Sequence, residues 1–194
     1  MIEYLKGKLV EKSPTHAVIE CNGVGYFLNI SVTTFGGLSD DENGFLWIHF
    51  IVREDAQVLY GFAEKDERDV FRKLISVSGV GANTARMILS GMTPDEVRST
   101  IQNQNADALK RIKGIGAKSA QRIIVDLHDK IAGVEKNLEN VTLLGNSIKN
   151  DALVALSSLG FDKTKTDKTL DKIIKSEGSE LSVEVLIKLA LKQL

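Results

Sequence analysis

The chain has one cysteine in 194 residues, Cys21, which excludes an intrachain disulfide and a cysteine-rich zinc site. Its setting, Val18-Ile-Glu-Cys-Asn, reads as a small buried strand residue. Histidine is equally scarce: His16, His49 and His128 are too scattered to argue for a metal, so ordinary structural roles are expected. No apolar run approaches the length of a membrane span. No basic-apolar-small leader opens the chain, because Met1-Ile-Glu-Tyr-Leu-Lys runs directly into alternating residues; the expected location is the cytoplasm. A nucleotide-binding loop is also missing. Gly114-Ile-Gly-Ala-Lys118-Ser119 imitates one but lacks the Gly-Lys-Ser core and its spacing, so any motor must lie in another chain and no cofactor is expected.

What is present is one pattern used twice. Leu74-Ile-Ser-Val-Ser-Gly79-Val-Gly81-Ala-Asn83-Thr-Ala85-Arg86-Met-Ile88 is repeated as Leu109-Lys-Arg-Ile-Lys-Gly114-Ile-Gly116-Ala-Lys118-Ser-Ala120-Gln-Arg122-Ile123, at a constant offset of 35 residues. An apolar run ending in Gly-hydrophobic-Gly, followed by a small residue and a second apolar helix, is helix-hairpin-helix grammar. The turn needs backbone angles that glycine reaches cheaply, and glycine lets another backbone approach. The amides that open the following helix are unpaired and lie at the positive end of its dipole, where a phosphate binds. A single copy reads equally well as a tight turn in a helical core. Duplication in register favours a tandem grip on two phosphates, which gives affinity without base recognition.

Charge agrees. The chain carries a net −1, yet Leu74 to Ile124 has seven basic residues against Asp95, Glu96 and Asp107. The positive charge is therefore local, as an electrostatic footprint for nucleic acid should be.

An apolar content of 43% supports real cores, and the length allows one domain or several small ones. Residues 1–63 read as five or six short strands, including Ile2–Lys8, Ala17–Cys21, Gly25–Ile30, Phe45–Val52 and Val58–Phe62, separated by turn-formers such as Asn22-Gly23. That number of strands in that length suits a small closed barrel of the OB-fold type. The barrel is acidic, at net −4, which makes it a poor phosphate sleeve. Within it, Arg53-Glu54-Asp55-Ala56-Gln57 breaks an apolar strand pair and reads as a hairpin tip: either a solvated turn or a negative post beside DNA. Residues 64–134 turn helical and contain both hairpins, with Thr93-Pro94-Asp95-Glu96 as a capped helix start. Residues 135–147 lose their period and read as a linker. Residues 148–194 give three amphipathic helices, a bundle near the lower limit of independent stability and a natural docking piece.

At this level of detail the whole chain resembles the RuvA family, which recognises Holliday junctions for the bacterial branch-migration machine in recombination and repair. The resemblance rests on Val24-Gly25-Tyr26, on Phe50-Ile-Val-Arg53-Glu54-Asp55-Ala56-Gln57-Val-Leu-Tyr60-Gly61-Phe62, on both hairpins with Leu89-Ser90-Gly91-Met92, and on Leu156-x-x-Leu159-Gly160-Phe161. It implies an OB-fold barrel, a tandem helix-hairpin-helix domain and a three-helix, UBA-like bundle. It implies homotetramers, singly or paired about a four-way junction whose arms lie in an open square. DNA contacts would come from Gly79, Gly81, Asn83, Arg86, Gly114, Gly116, Lys118 and Arg122. Glu54 and Asp55 would form an acidic pin where strands exchange. Leu156, Leu159 and Phe161 would dock a hexameric RuvB-type ATPase, and a separate RuvC-type nuclease would resolve the junction; the chain itself would have no catalytic residues and no metal.

The first hairpin departs from the family in reading Ala82-Asn83, and the second in reading Ala117-Lys118, where basic residues are common. Phosphate grip by the first would then rest on backbone amides, and Lys118 and Arg122 would carry more of the salt-dependent affinity. The alternative function is a helix-hairpin-helix DNA glycosylase or another non-specific duplex-binding repair protein. Its only candidate groups are Asp126 and Lys118, with no aromatic pocket for a flipped base.

Overall fold

Alternating apolar residues in the first third of the chain close a barrel. The computed structural model describes residues 1–39, 42–135, 144–177 and 181–194. Strands β1 (Tyr4–Lys12), β2 (His16–Cys21), β3 (Val24–Asn29), β4 (Asn43–Val52) and β5 (Gln57–Phe62) pair in the order β1-β2-β3-β5-β4 and back to β1. All pairs are antiparallel except β3 with β5, where Leu28 faces Leu59 and Asn29 faces Tyr60. The inward positions Ala17, Ile19, Leu28, Ile30, Leu46 and Ile48 are essentially inaccessible and fill the lumen. Cys21 ends β2 half-buried and free. At Gly7 a Cβ would come within 2.1 Å of the Glu20 carbonyl oxygen, so only glycine lets β1 and β2 lie this close.

Between β3 and β4 lies a short helix the sequence reading did not anticipate, α1 (Val32–Gly37). Ser31 caps it, its hydroxyl accepting from the Thr34 amide.

The helical half consists of α2 (Lys65–Ile75), α3 (Ala82–Gly91), α4 (Pro94–Gln102), α5 (Ala106–Lys110) and α6 (Ala117–Glu135). The helix start expected at Thr93 is there: Thr93 and Glu96 form a reciprocal capping box. The apolar residues of these helices make a second core, and Tyr60 and Phe62 of β5 belong to it. Phe62, Phe71 and Leu74 are 2% exposed or less. Each contributes about 1.5–3 kcal/mol by burial. Barrel and hairpins therefore share a core across the expected boundary at residue 63/64 and form one compact unit, Met1–Ala132.

Two buried charges pin that joint. Glu67 accepts from the Ser31 hydroxyl and, at 2.7 Å, from the Thr34 hydroxyl, tying α2 to α1. Burial pushes its carboxyl above the usual range, against the lowering effect of these two donors. Arg68 pairs with Glu3 at 2.6 Å and stacks 5.0 Å from the Trp47 ring. Burial acts to raise the Glu3 carboxyl, but Arg68 and then Arg72 hold it below its ordinary value.

The second unit, Gly133–Leu194, carries the expected three helices: α7 (Leu144–Ser158), α8 (Lys163–Glu177) and α9 (Val183–Leu191). Helix α7 begins at Leu144, inside the stretch expected as linker 135–147; residues 136–143 of that stretch lie outside the described residues. The core comprises Ala152, Leu156, Leu170, Ile173, Leu186 and Ala190. Gly160, at φ +95°, stops α7, and the Phe161 amide returns to the Leu156 carbonyl at 3.2 Å. Lys149 clamps α7 to α8 through Asp167 and Asp171, at 2.8 and 2.6 Å. Among the described residues no helix is long and apolar enough to cross a membrane.

Candidate nucleic-acid interface

The two glycine turns have the same hydrogen bonding. In the first, the Val77 amide donates to the Leu74 carbonyl and Val80 to Val77, at 3.1 and 3.0 Å; in the second, Ile112 donates to Leu109 and Ile115 to Ile112, both at 3.1 Å. Val80 and Ile115 are each 5% exposed, so the middle residue of each Gly-x-Gly anchors the turn in the core. The outgoing helices then start alike, with Ala85 donating to Gly81 at 2.9 Å and Ala120 to Gly116 at 3.0 Å.

The paired glycines do different jobs. Gly79 and Gly114 sit at φ +86° and +92°, a region an L side chain rarely adopts, so the turn itself requires them. Gly81 and Gly116 have no such φ, Gly81 lying at −81°, and a Cβ on either would meet nothing within 4 Å. The fold does not demand glycine at these two positions, and the open space over each leaves room for another molecule to come close to the backbone. Helix α3 offers what such a molecule needs: no side chain caps it, which leaves the amides of Ala82, Asn83 and Thr84 ahead of the helical ladder.

The cations divide less evenly than their sequence positions imply. Arg86 turns back to the barrel, where its Nη1 donates to the carbonyls of Thr15 at 2.9 Å and Ile30 at 3.5 Å. Arg98 is held by Asp66 and, at 2.6 Å, by Asp95. Lys110 pairs with Asp107 at 2.5 Å. Asn83 is exposed at the start of α3, and its Oδ1 accepts from the Tyr60 hydroxyl at 3.5 Å, which leaves its amide NH2 to donate.

The second hairpin differs. Lys118 is exposed without an ion pair among the described residues, and Arg122 is 56% exposed with only a loose contact to Asp126 at 3.8 Å. Arg111 and Lys113 are also exposed and beside Gly114. Their adjacency to the turn is the sequence signal that adds them to the candidate cations. Asp126, the candidate acid of the glycosylase alternative, lies on α6, 3.8 Å from the Arg122 guanidinium.

The acidic loop is the tip of the β4–β5 hairpin, closed by the Arg53 amide donating to the Ala56 carbonyl at 2.8 Å. Glu54 and Asp55 both project into solvent there. In the C-terminal unit the three expected docking residues separate. Leu156 is fully buried in the bundle core and Phe161 packs against that core, so neither is free to meet a partner as Leu159 is, at 66% exposure.

Comparison with known proteins adds a second line. Residues 1–61 match the family model of the RuvA N terminal domain, residues 71–129 that of a SAM-like helix-hairpin-helix tandem, and residues 147–194 that of the RuvA C-terminal domain. The chain is 50% identical, over the full length of both chains, to the Holliday junction branch migration complex subunit RuvA of Christiangramia forsetii. It is 49% and 46% identical, again over the full length of both chains, to proteins of the same name from Bacteroides thetaiotaomicron and Flavobacterium psychrophilum.

Proposed function

The chain belongs to the RuvA family, and from that premise we propose that it binds four-way junction DNA by structure rather than sequence and guides branch migration. The observation that carries this reading is a single hairpin geometry built twice, with an open-mouthed glycine in each copy. Phosphates docked on the two turns would hold duplex arms without reading bases.

The exposed carboxylates at the β4–β5 tip act in the opposite sense. Repulsion of a phosphate by one exposed charge is only about 1 kcal/mol at close range in water, and it grows where DNA displaces solvent. In a homotetramer the tips of four chains would gather eight such carboxylates around the axis and keep the crossover open, steering separated strands into new pairs. The chain does no chemistry itself on this reading. The C-terminal bundle recruits a RuvB-type ATPase that moves the arms, a RuvC-type nuclease resolves the product, and the assembly works in the cytoplasm.

Gel-shift titration of one synthetic four-way junction and a linear duplex of matched sequence tests the reading. The wild-type chain prefers the junction. Glu54→Gln with Asp55→Asn tightens binding to both and narrows the difference between them. Equal affinity of the wild-type chain for the two DNAs would overturn the assignment.

A further inference from the structure

A groove of about 440 Å3 separates β4 from the first hairpin. One wall is His49 to Arg53; the other is Ile75, Val80, Gly81 and Ala82. It lies in the size range of small-ligand clefts, ~300–1,000 Å3, the scale of a nucleotide rather than of a duplex. The groove runs from the start of α3, at Gly81 and Ala82, to Arg53 at the end of β4. At one end the uncapped amides of α3 favour a phosphate, and at the other stands the exposed guanidinium of Arg53. A nucleotide in the groove would rest its phosphate on one of these positive ends and lay its base along β4.

His49 supplies the contact that distinguishes a base from a second phosphate. Its Nδ1 lies 3.4 Å from the Arg72 Nε–H, which can only donate, so Nδ1 is the acceptor and the proton of the neutral ring is on Nε2. Burial first, then the charges of Arg72 and Arg68, hold the ring below its usual pKa and hence neutral. A neutral N–H donor on the same strand face as half-buried Ile51 suits an acceptor on a base edge and the apolar face of its ring.

We infer that this groove is a subsite for a single unpaired nucleotide of the junction, the one nearest the strand-exchange point, with His49 donating to its base. The inference rests on the junction-binding reading. A base whose pair is parted during strand exchange would enter the groove without the full cost of extrusion from a duplex.

A thermodynamic cycle tests it. Affinity of the full chain is measured for an immobile four-way junction and for the same junction with abasic sites at the exchange point, using wild type, His49→Phe and Val52→Met. Val52 is 62% exposed at the groove's edge, so the added bulk narrows the groove without entering a core. Each variant should bind the intact junction roughly two- to tenfold more weakly, the loss of one neutral hydrogen bond or its equivalent. On the abasic junction each should match wild type. Equal losses on both junctions would assign His49 and Val52 to the fold alone and overturn the subsite, as would variants that bind the intact junction normally, which points to a groove covered by protein. A wild-type chain with no preference for the junction over linear DNA would instead overturn the parent reading, and the subsite with it.

Discussion

Replacing the two glycines of one turn in parallel separates folding from binding. In the second hairpin Gly114 lies at φ +92°, and Gly116 has no left-handed φ and nothing within 4 Å of a built Cβ. Gly114→Ala forces a side chain into left-handed backbone, which costs about 1–2 kcal/mol. For a unit the size of Met1–Ala132, that lowers the melting temperature by roughly 3–10 °C. Gly116→Ala adds no strain, and reduced freedom of the unfolded chain leaves stability unchanged or raised by about 0.4–1 kcal/mol. Its methyl, however, would stand where, on the proposed cradle, a phosphate oxygen comes within hydrogen-bond distance of the amides. Losing one amide bond to a charged oxygen costs about 1.5–3 kcal/mol, a ten- to hundredfold loss of affinity. Thermal melts followed by circular dichroism and fluorescence anisotropy with a labelled junction read the two effects separately. A Gly116→Ala chain that binds the junction as wild type does would refute the amide cradle. A Gly114→Ala chain that melts with wild type would refute the claim that the turn requires glycine there. Gly79 and Gly81 should divide in the same way.

The remaining expectations concern charge, packing and pH. Lys118→Ala should lower the slope of log affinity against log salt by about one, whereas Arg86→Ala should leave that slope alone and lower thermal stability, because Arg86 holds the Thr15 and Ile30 carbonyls. Leu156→Ala should cost about 2–5 kcal/mol, comparable to the whole stability of so small a bundle, and melt it; Leu159→Ser should leave the melt unchanged and abolish capture of a RuvB-type ATPase. Glu67 titrates near 4.5 when unfolded and higher when buried, so the native state keeps the proton longer. Stability should therefore fall as pH rises from 4.5 through the raised value and then level off. Urea midpoints across that range should show this fall for wild type and not for Glu67→Gln.

What the sequence disclosed and what it hid follow one physical rule. Local patterns were legible: alternation marked the five strands, and a duplicated Gly-x-Gly marked both turns because positive φ at Gly79 and Gly114 is a local demand. Helix α1 was illegible because Val32-Thr-Thr-Phe-Gly-Gly contains poor helix formers. Distant partners hold it in place instead: the Thr33 hydroxyl donates to the Leu89 carbonyl at 2.6 Å, and the Thr34 hydroxyl to Glu67. The redirection of Arg86 was hidden for the same reason, since Thr15 lies 71 positions away. An amphipathic stripe cannot reveal whether it faces a core or a partner, so Leu156 and Leu159 looked alike until packing separated them.

That hidden long-range pairing changes how the DNA surface works. By sequence, positive charge is spread over both hairpins; in the fold, Arg86, Arg98 and Lys110 are engaged by carbonyls or carboxylates of the chain itself. Between Leu74 and Ile124 the cations left facing solvent, Arg111, Lys113, Lys118 and Arg122, all belong to the second hairpin. Counterion release scales with the phosphates neutralised by free cations, so the second hairpin should set the salt dependence of affinity. The first contributes uncharged donors, the α3 amides and Asn83, which screening by salt weakens far less. Asn83 is also joined through Tyr60 to β5, the strand that leaves the acidic tip. If both turns hold phosphates as proposed, the less salt-sensitive hairpin is the one joined to the acidic tip, and the register between phosphate and exchange point should persist as ionic strength rises and overall grip declines.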